Sequence, residues 1–297
     1  MTREITTKAT PILKPDARFG EMLRRRVRLN VPLVVGLFIS GAFLLIALLG
    51  PSLVDYDPTI INLRDRLESP SSSYPFGTDE MGRDLFKAVI AGARISLRVG
   101  LIILAISISV GTLVGLIAGY AGGKVDNILM RITDIFLGFP PLVLAMVVSV
   151  SLGGGLTPAV LGVAAVWWPG YARLVRGPTL SIKQMVYVEA ARAIGASDIR
   201  IMFRHILPGI VSLLLVKAAA DFGYAILATA SLSFIGLGAR PPSPEWGRLV
   251  VAGRNFLLDY WWYSTIPGAA IFVVVFGYNL LGDALRDLLD PRGSEIR

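Results

Sequence analysis

The chain has 297 residues, of which 54% are hydrophobic and 17% charged, with a mean hydropathy of +0.65. A soluble domain carries about a quarter of its residues charged, and a disordered chain has far less apolar content, so both classes are excluded in favour of a membrane protein. The lack of Cys and the single His exclude disulfide frameworks, thiolate catalysis, Cys-based metal centres and any site needing two imidazoles, while the net charge of +8 is assigned to basic cytoplasmic segments and not to nucleic acid binding.

A bilayer core of about 30 Å is crossed by about 20 mainly apolar residues in a helix. Taken in chain order, a basic tail, 1–30, precedes a first span at 31–54, between Arg28 and Asp55. This run is longer and more basic at its start than a cleaved signal, and reads as a retained anchor. An outer loop, 55–98, leads to a second span at 99–119, which opens a core of 99–292. No charge occurs between Asp134 and Arg173, too long a stretch for one helix, and Gly153-Gly154-Gly155-Leu156-Thr157-Pro158 splits it by turn chemistry. Spans three and four are therefore expected at 128–152 and 159–174. The fifth begins after Pro208, a residue suited to a first helical turn, and runs to about 235, interrupted by Lys217 and Asp221. The sixth covers 263–281, and a tail, 293–297, ends the chain.

Lys and Arg fall mostly on the N-terminal tail, the segment between spans four and five, and the C-terminal tail. That bias predicts both termini in the cytoplasm. Tyr260, Trp261, Trp262 and Tyr263 are expected to anchor the sixth span at the outer interface. The segment from Pro241 to Leu258 is too short to span and is expected to form an interfacial or re-entrant helix over the outer mouth.

Catalytic and nucleotide-binding signatures are missing. Gly122-Gly123-Lys124-Val125 lacks the spacing and the hydroxyl of a P-loop, and neither H-E-x-x-H nor G-x-S-x-G occurs. The chain is therefore read as no enzyme. A secondary transporter would show a relay of intramembrane carboxylates or inverted repeats; Asp221 is the main candidate, and no such repeat is evident. Lys217 and Asp221 lie four apart on one face of span five. They either neutralise each other along a polar path or meet the carboxylate and amino group of a solute. Trp167 and Trp168 flank Pro169 in span four and either pack around its kink or line a translocation path. Arg131 and Asp134 are expected to pair within one helix, and His205 to sit as a solvated edge residue. Glu80, Arg83 and Asp84 either contact an external partner or fold the outer loop.

Between spans four and five, the segment 183–208 is too polar to span and too long for a tight turn. Tyr187-Val188-Glu189-Ala190-Ala191-Arg192 favours helix, Gly195 stops it, and Ser197 or Asp198 caps a second helix running to Pro208. The short first helix has the form of a docking knob, with Glu189 and Arg192 available for charged contacts.

Glu189-Ala190-Ala191, Gly195 and Ile206-Leu207-Pro208 resemble the EAA loop of permease subunits of ATP-binding cassette (ABC) importers. Tyr74-Pro75-Phe76-Gly77-Thr78-Asp79-Glu80-Met81-Gly82-Arg83-Asp84, Ala230-Ser231-Leu232-Ser233-Phe234-Ile235-Gly236-Leu237-Gly238, Pro241-Pro242-Ser243-Pro244-Glu245-Trp246-Gly247 and Asn279-Leu280-Leu281-Gly282-Asp283 resemble the C-type permease of dipeptide and oligopeptide importers. The resemblance runs from about Val31 to Arg292. It implies an all-α membrane protein with six transmembrane helices, the type I ABC importer (MetI-like) permease fold, and a cytoplasmic EAA coupling helix. Tyr187, Glu189, Ala190, Ala191, Arg192 and Gly195 would then couple the chain to its ATPases. The implied partners are a second, B-type permease, two cytoplasmic ATP-binding subunits that hold the ATP and Mg²⁺, an extracytoplasmic substrate-binding protein and the lipid bilayer. The chain itself would hold no cofactor. Peptides are the implied solute, with nickel chelates, glutathione and oligosaccharides carried by the same architecture. The alternative class is a channel or secondary transporter independent of ATP. Charged residues at Lys217 and Asp221 depart from the family pattern.

Overall fold

Backbone polar groups in a bilayer must be satisfied within the chain, and among the described residues this is done by helix alone, with one isolated antiparallel bridge between Thr78 and Asp84. The computed structural model describes residues 31–289; the tails 1–30 and 293–297 lie outside them. Helices α1 (Val31–Leu53), α2 (Leu85–Ala121), α7 (Val211–Phe234) and α9 (Trp262–Leu289) are long and apolar enough to cross a membrane. A fifth span is possible in α3 (Gly123–Leu137) and α4 (Pro141–Ser151), which are bent by 92° at their junction. The remaining helices are α5 (Leu156–Ile182), α6 (Val186–Ala193) and α8 (Trp246–Gly253).

Helix α1 buries Leu33, Gly36, Ser40, Phe43, Ala47 and Gly50. Their alternating spacing of three and four residues forms a single stripe. Val34, Leu37, Phe38, Leu45 and Leu49 are exposed on the rest of the helix, an apolar face of the kind that meets lipid and not water.

Three expected boundaries are corrected. Helix α2 starts at Leu85 and not near Val99, because Asp84 caps it through hydrogen bonds from the Phe86 and Lys87 amides; the end of the 55–98 loop is thus helical. The third span is no continuous helix. Gly138-Phe139-Pro140-Pro141 breaks it, since a residue before proline is pushed out of the helical region and Pro141 fits only at the start of a new helix. Helix α5 runs from Leu156 to Ile182, well beyond the expected 159–174, with Pro169 and Pro178 inside it. Its 27 residues extend about 40 Å at 1.5 Å each, but Trp167, Trp168, Pro169, Arg173 and Arg176 dilute its apolar character.

The most extensive helix pairing is α2 against α5. Gly111, Gly115 and Gly119 lie four apart on one face of α2 and let the backbones meet. A Cβ on Gly111 would collide with Tyr171, one on Gly115 would lie 2.5 Å from the Ala172 carbonyl oxygen, and one on Gly119 would lie 2.7 Å from Thr179 Cβ.

Helix α3 is tied to α5 by ion pairs. Arg176 makes two contacts of 2.6 Å with Asp126, and Arg173 lies 2.5 Å from Asp134. The expected Arg131–Asp134 pair is therefore replaced by an inter-helix one, because α5 packs alongside α3 and offers Asp134 a guanidinium.

At the other end of α2, Trp246 of α8 is buried and donates to the Val89 carbonyl at 2.8 Å. The short helix expected after Pro241 exists, but it is packed into the bundle against α7, α9 and α2. Trp262 and Tyr263, expected as interface anchors, are also core residues at 6% and 0% exposure, whereas Trp261 is exposed. Trp262 donates to the Thr78 carbonyl at 3.3 Å, which draws its ring into the loop before α2.

Two outcomes follow from this packing. Gly115→Val should destabilise the folded chain by about 1–3 kcal/mol through overpacking, whereas Gly41→Ala, with nothing within 4 Å of its added carbon, should be neutral; thermal unfolding of the detergent-solubilised chain, followed by size-exclusion fluorescence, separates them. Asp79→Ala should cost about 3–5 kcal/mol by leaving Arg83 without its partner, read as faster limited proteolysis between residues 55 and 84.

Candidate functional site

The chain presents three candidate regions, at the two ends of α2 and along α7. The first is α6 and the segment after it. Val188 and Ala191 of α6 are buried, while Val186, Tyr187, Glu189, Ala190, Arg192, Ile194 and Gly195 are exposed. Ala191 is thus a packing residue, and Glu189 and Ala190 belong to the outward face. The helix ends in a Schellman turn: the Gly195 amide donates to the Arg192 carbonyl at 3.0 Å and the Ala196 amide to the Ala191 carbonyl at 3.1 Å. Gly195 sits at φ +83°, a left-handed conformation that glycine adopts without steric cost.

Ser197 caps the next segment by accepting from the Arg200 amide, as expected from the sequence. The expected second helix takes a different form. Only Asp198–Arg200 is α-helical; Ile201–Ile206 follows as a π-helical turn and Leu207–Gly209 as a 3-10 turn. Ile201, Ile206 and Ile210 are fully buried, and placing all three inward requires this irregular winding.

The knob is fixed to α2 through residues that sequence reasoning did not single out. Tyr120 donates to Asp198 Oδ1 at 2.5 Å and accepts from Arg192 at 3.4 Å, with the guanidinium 5.8 Å from its ring centroid. Lys183 donates to the carbonyls of Gly119 and Tyr120 at 2.7 and 3.3 Å. Arg192 is therefore engaged within the chain, and Glu189 is the charged residue of α6 that has no hydrogen bond or ion pair among the described residues. Tyr187 donates to the His205 carbonyl at 3.2 Å, bracing α6 against the π turn. The signal for Tyr120 was its place at the end of the glycine-spaced helix, one residue beyond the last close contact.

The second region is the loop 55–84 at the start of α2. Asp79, 1% exposed, accepts from the amides of Met81 and Arg83 and from Arg83 Nε at 2.6 Å. Arg83 also donates to the Pro58 carbonyl at 2.9 Å. Tyr74 donates to Asp65 Oδ2 at 2.6 Å, and this bond to a carboxylate holds its phenol up at about 12. Arg83 and Asp84 are thus used inside the chain, the one as a clasp and the other as a helix cap, while Glu80 is half-buried without a hydrogen bond of its side chain. Nearby, Glu245 caps α8 by accepting from the Gly247 and Arg248 amides at 3.0 and 2.8 Å; burial raises its carboxyl above the ordinary carboxylate range.

The third region is an open cavity of about 470 Å³ between α5, α7 and the α3–α4 bend. Lys217, Asp221 and Trp167 line it together with Phe136, Gly170 and Tyr224. Lys217 Nζ lies 2.9 Å from Asp221 Oδ2. Trp168 is not on the wall; its ring packs edge-on against Phe136 with centroids 5.4 Å apart, and so supports a lining residue from behind.

Residues 111–294 match the family described as binding-protein-dependent transport system inner membrane component. Over 251 residues the chain is 48% identical to a probable D,D-dipeptide transport system permease protein of Escherichia coli, covering 84% of each. It is 44% identical over 273 residues to a glutathione transport system permease protein of Pectobacterium atrosepticum, covering 92% of this chain and 90% of that one. A dipeptide transport system permease protein of Alkalihalophilus pseudofirmus is 41% identical over 268 residues, covering 90% of this chain and 88% of the relative. Among solved structures, an amino acid ABC transporter crystallised with histidines matches 69% of this chain and 95% of its own with a TM-score of 0.50 at 18% identity, a likeness of fold. This chain, a multi-pass membrane protein, therefore belongs to the family of inner membrane components of binding-protein-dependent transport systems.

Proposed function

We propose that this chain is the permease subunit of an ATP-driven importer of di- and oligopeptides, forming half of the translocation path with a second, B-type permease. The observation that carries the reading is the outward face of α6: an exposed Glu189 and Ala190, flanked by Val186 and Ile194 at 80% and 86% exposure, on a short helix braced from behind. Such a rigid apolar knob with one free charge fits a cleft in a partner better than it fits water. In this reading two cytoplasmic ATP-binding subunits grip α6 and hold the ATP and Mg²⁺, a binding protein delivers solute at the opposite end, and both termini lie in the cytoplasm. Helix α5, although less apolar than the others, serves as the fourth of six spans beside the broken α3–α4 span. Differential binding of ATP to one state of the complex drives alternating access.

Peptide as the solute rests on the names of the relatives, two of which are dipeptide systems. Glutathione is a second reading, favoured by the 44% identical relative. Hydrolysis of ATP by the complete complex in nanodiscs, with its binding protein, separates them: stimulation by di-, tri- or oligopeptides is expected, and stimulation by glutathione or a nickel chelate alone would keep the importer and replace the peptide.

The docking assignment has its own test. Glu189→Lys reverses the free charge of the knob, and Gly195→Leu forces a side chain into φ +83°. Each should lower co-purification of the ATP-binding subunits about tenfold, the scale of one interface hot spot, with the permease still inserted in the membrane. Unchanged assembly and transport in both variants would refute the role of α6.

A further inference from the structure

The ion pair on the cavity wall contributes little to holding the fold. Lys217 and Asp221 lie one turn apart on the same helix, at 2.9 Å, so their ion pair bridges no two helices, and Tyr171 of α5 meets them only through its ring and hydroxyl. Lys preceding Asp is also the less favourable order for an intrahelical pair. Charges at this depth in an apolar helix are costly, and an apolar pair of similar volume would be at least as stable. Both side chains remain partly open to the cavity, at 33% and 19% exposure.

The surroundings supply each charge with a second partner. Lys217 Nζ stands 5.1 Å from the ring centroid of Tyr171, which supports a cation by its π face. The Tyr171 hydroxyl is buried beside Asp221 without a hydrogen bond of normal geometry. When Lys217 turns to another anion, that hydroxyl can donate to Asp221. The pair can therefore open without stranding either charge. Phe136, Trp167 and Tyr224 give the same cavity an aromatic wall, which packs side chains of varied shape, and about 470 Å³ is in the range of small-solute pockets.

We infer that Lys217 and Asp221 form a two-point receptor for a short solute with free ends, Lys217 taking its carboxylate and Asp221 its ammonium. The inference rests on the peptide reading above and goes beyond it by naming the ends of the peptide as what the permease itself recognises. One internal ion pair is exchanged for two external ones, so a zwitterion enters with every charge matched. A solute blocked at either end leaves one wall charge with Tyr171 in place of a full counter-charge, and that weaker match carries the discrimination.

The test uses the nucleotide-free complex with its partner permease and ATP-binding subunits in nanodiscs, without the binding protein, so that only the membrane site is read. Labelled dialanine is the probe, with N-acetylated and C-amidated dialanine as competitors. The wild type should bind free dialanine about tenfold or more tightly than either blocked form, the scale of one lost charge-assisted hydrogen bond. Asp221→Asn should shift preference toward the N-acetylated form and Lys217→Gln toward the C-amidated form. The neutral double variant, Lys217→Met with Asp221→Leu, should no longer distinguish the three. A merely structural pair would weaken all three ligands alike, and an unchanged order of preference in the variants that co-purify overturns the receptor while leaving the peptide reading intact. Absence of dialanine binding to the wild type also overturns it; peptide-stimulated ATP hydrolysis by the complete complex with its binding protein shows whether the peptide reading falls with it.

Discussion

The contact on which the rest depends is the backbone approach of α2 and α5 along Gly111, Gly115 and Gly119. In lipid there is no hydrophobic force between helices, so association rests on packing, and packing is closest where side chains are absent. Once α5 is seated there, its other face is fixed as well. Arg173 and Arg176 then reach Asp134 and Asp126 of α3, the α3–α4 bend is drawn against α5, and the cavity opens between that bend and α7. The same seating brings Lys183, just past the end of α5, to the carbonyls of Gly119 and Tyr120. Helix α6 is thereby positioned by the glycine stripe.

The ion pairs divide by what they join. Arg176–Asp126 and Arg173–Asp134 link separate helices, and Asp79–Arg83 closes a loop. Each has a geometric job that an apolar pair could not do at the same place, because each sets the distance between two backbones. Lys217–Asp221 sets no such distance. A membrane helix that keeps two costly charges without a structural return is one in which the charges face something that comes and goes, and the position of the pair on a cavity wall is consistent with that.

Much of this architecture was legible in the sequence. The first and fifth apolar runs correspond to α1 and α7 within a few residues, and the sixth shares its start with α9, which runs eight residues past the expected 281, because long uncharged stretches leave helices little alternative. The helix, glycine stop and Ser197 cap of the docking segment were legible for a similar reason: capping is local chemistry. What failed was non-local. The bend at Phe139-Pro140 was hidden by unbroken hydropathy, the start of α2 by Arg94 and Arg98 in its first turns, and the pairing of Asp134 by the nearness in sequence of Arg131, when the guanidinium it meets lies 39 residues away. Trp262 and Tyr263 read as interface anchors by type, yet the loop ahead of α2 folds over them. The outer-loop candidates Arg83 and Asp84 look like partner contacts in a list of charges and prove to be a clasp and a cap. At the cavity, the four-residue spacing gave the pair itself, but the aromatic wall came from three separate helices and required the fold.

The irregular winding between Asp198 and Gly209 bears on how the two ends of such a subunit communicate. A knob on a slack tether would absorb displacement, whereas one joined to a transmembrane helix through packed backbone transmits it. Here Tyr187 binds the π turn at His205, and Ile201, Ile206 and Ile210 are fully buried in one core with Val188 of α6 and Leu214 of α7. Cores close-packed to this degree deform little and shift as units. Under the proposed coupling, displacement of α6 passes into the first turn of α7, and Lys217 lies only six residues beyond Val211, where that helix begins. The docking surface and the ion pair are in this way successive stations on one continuous stretch of chain.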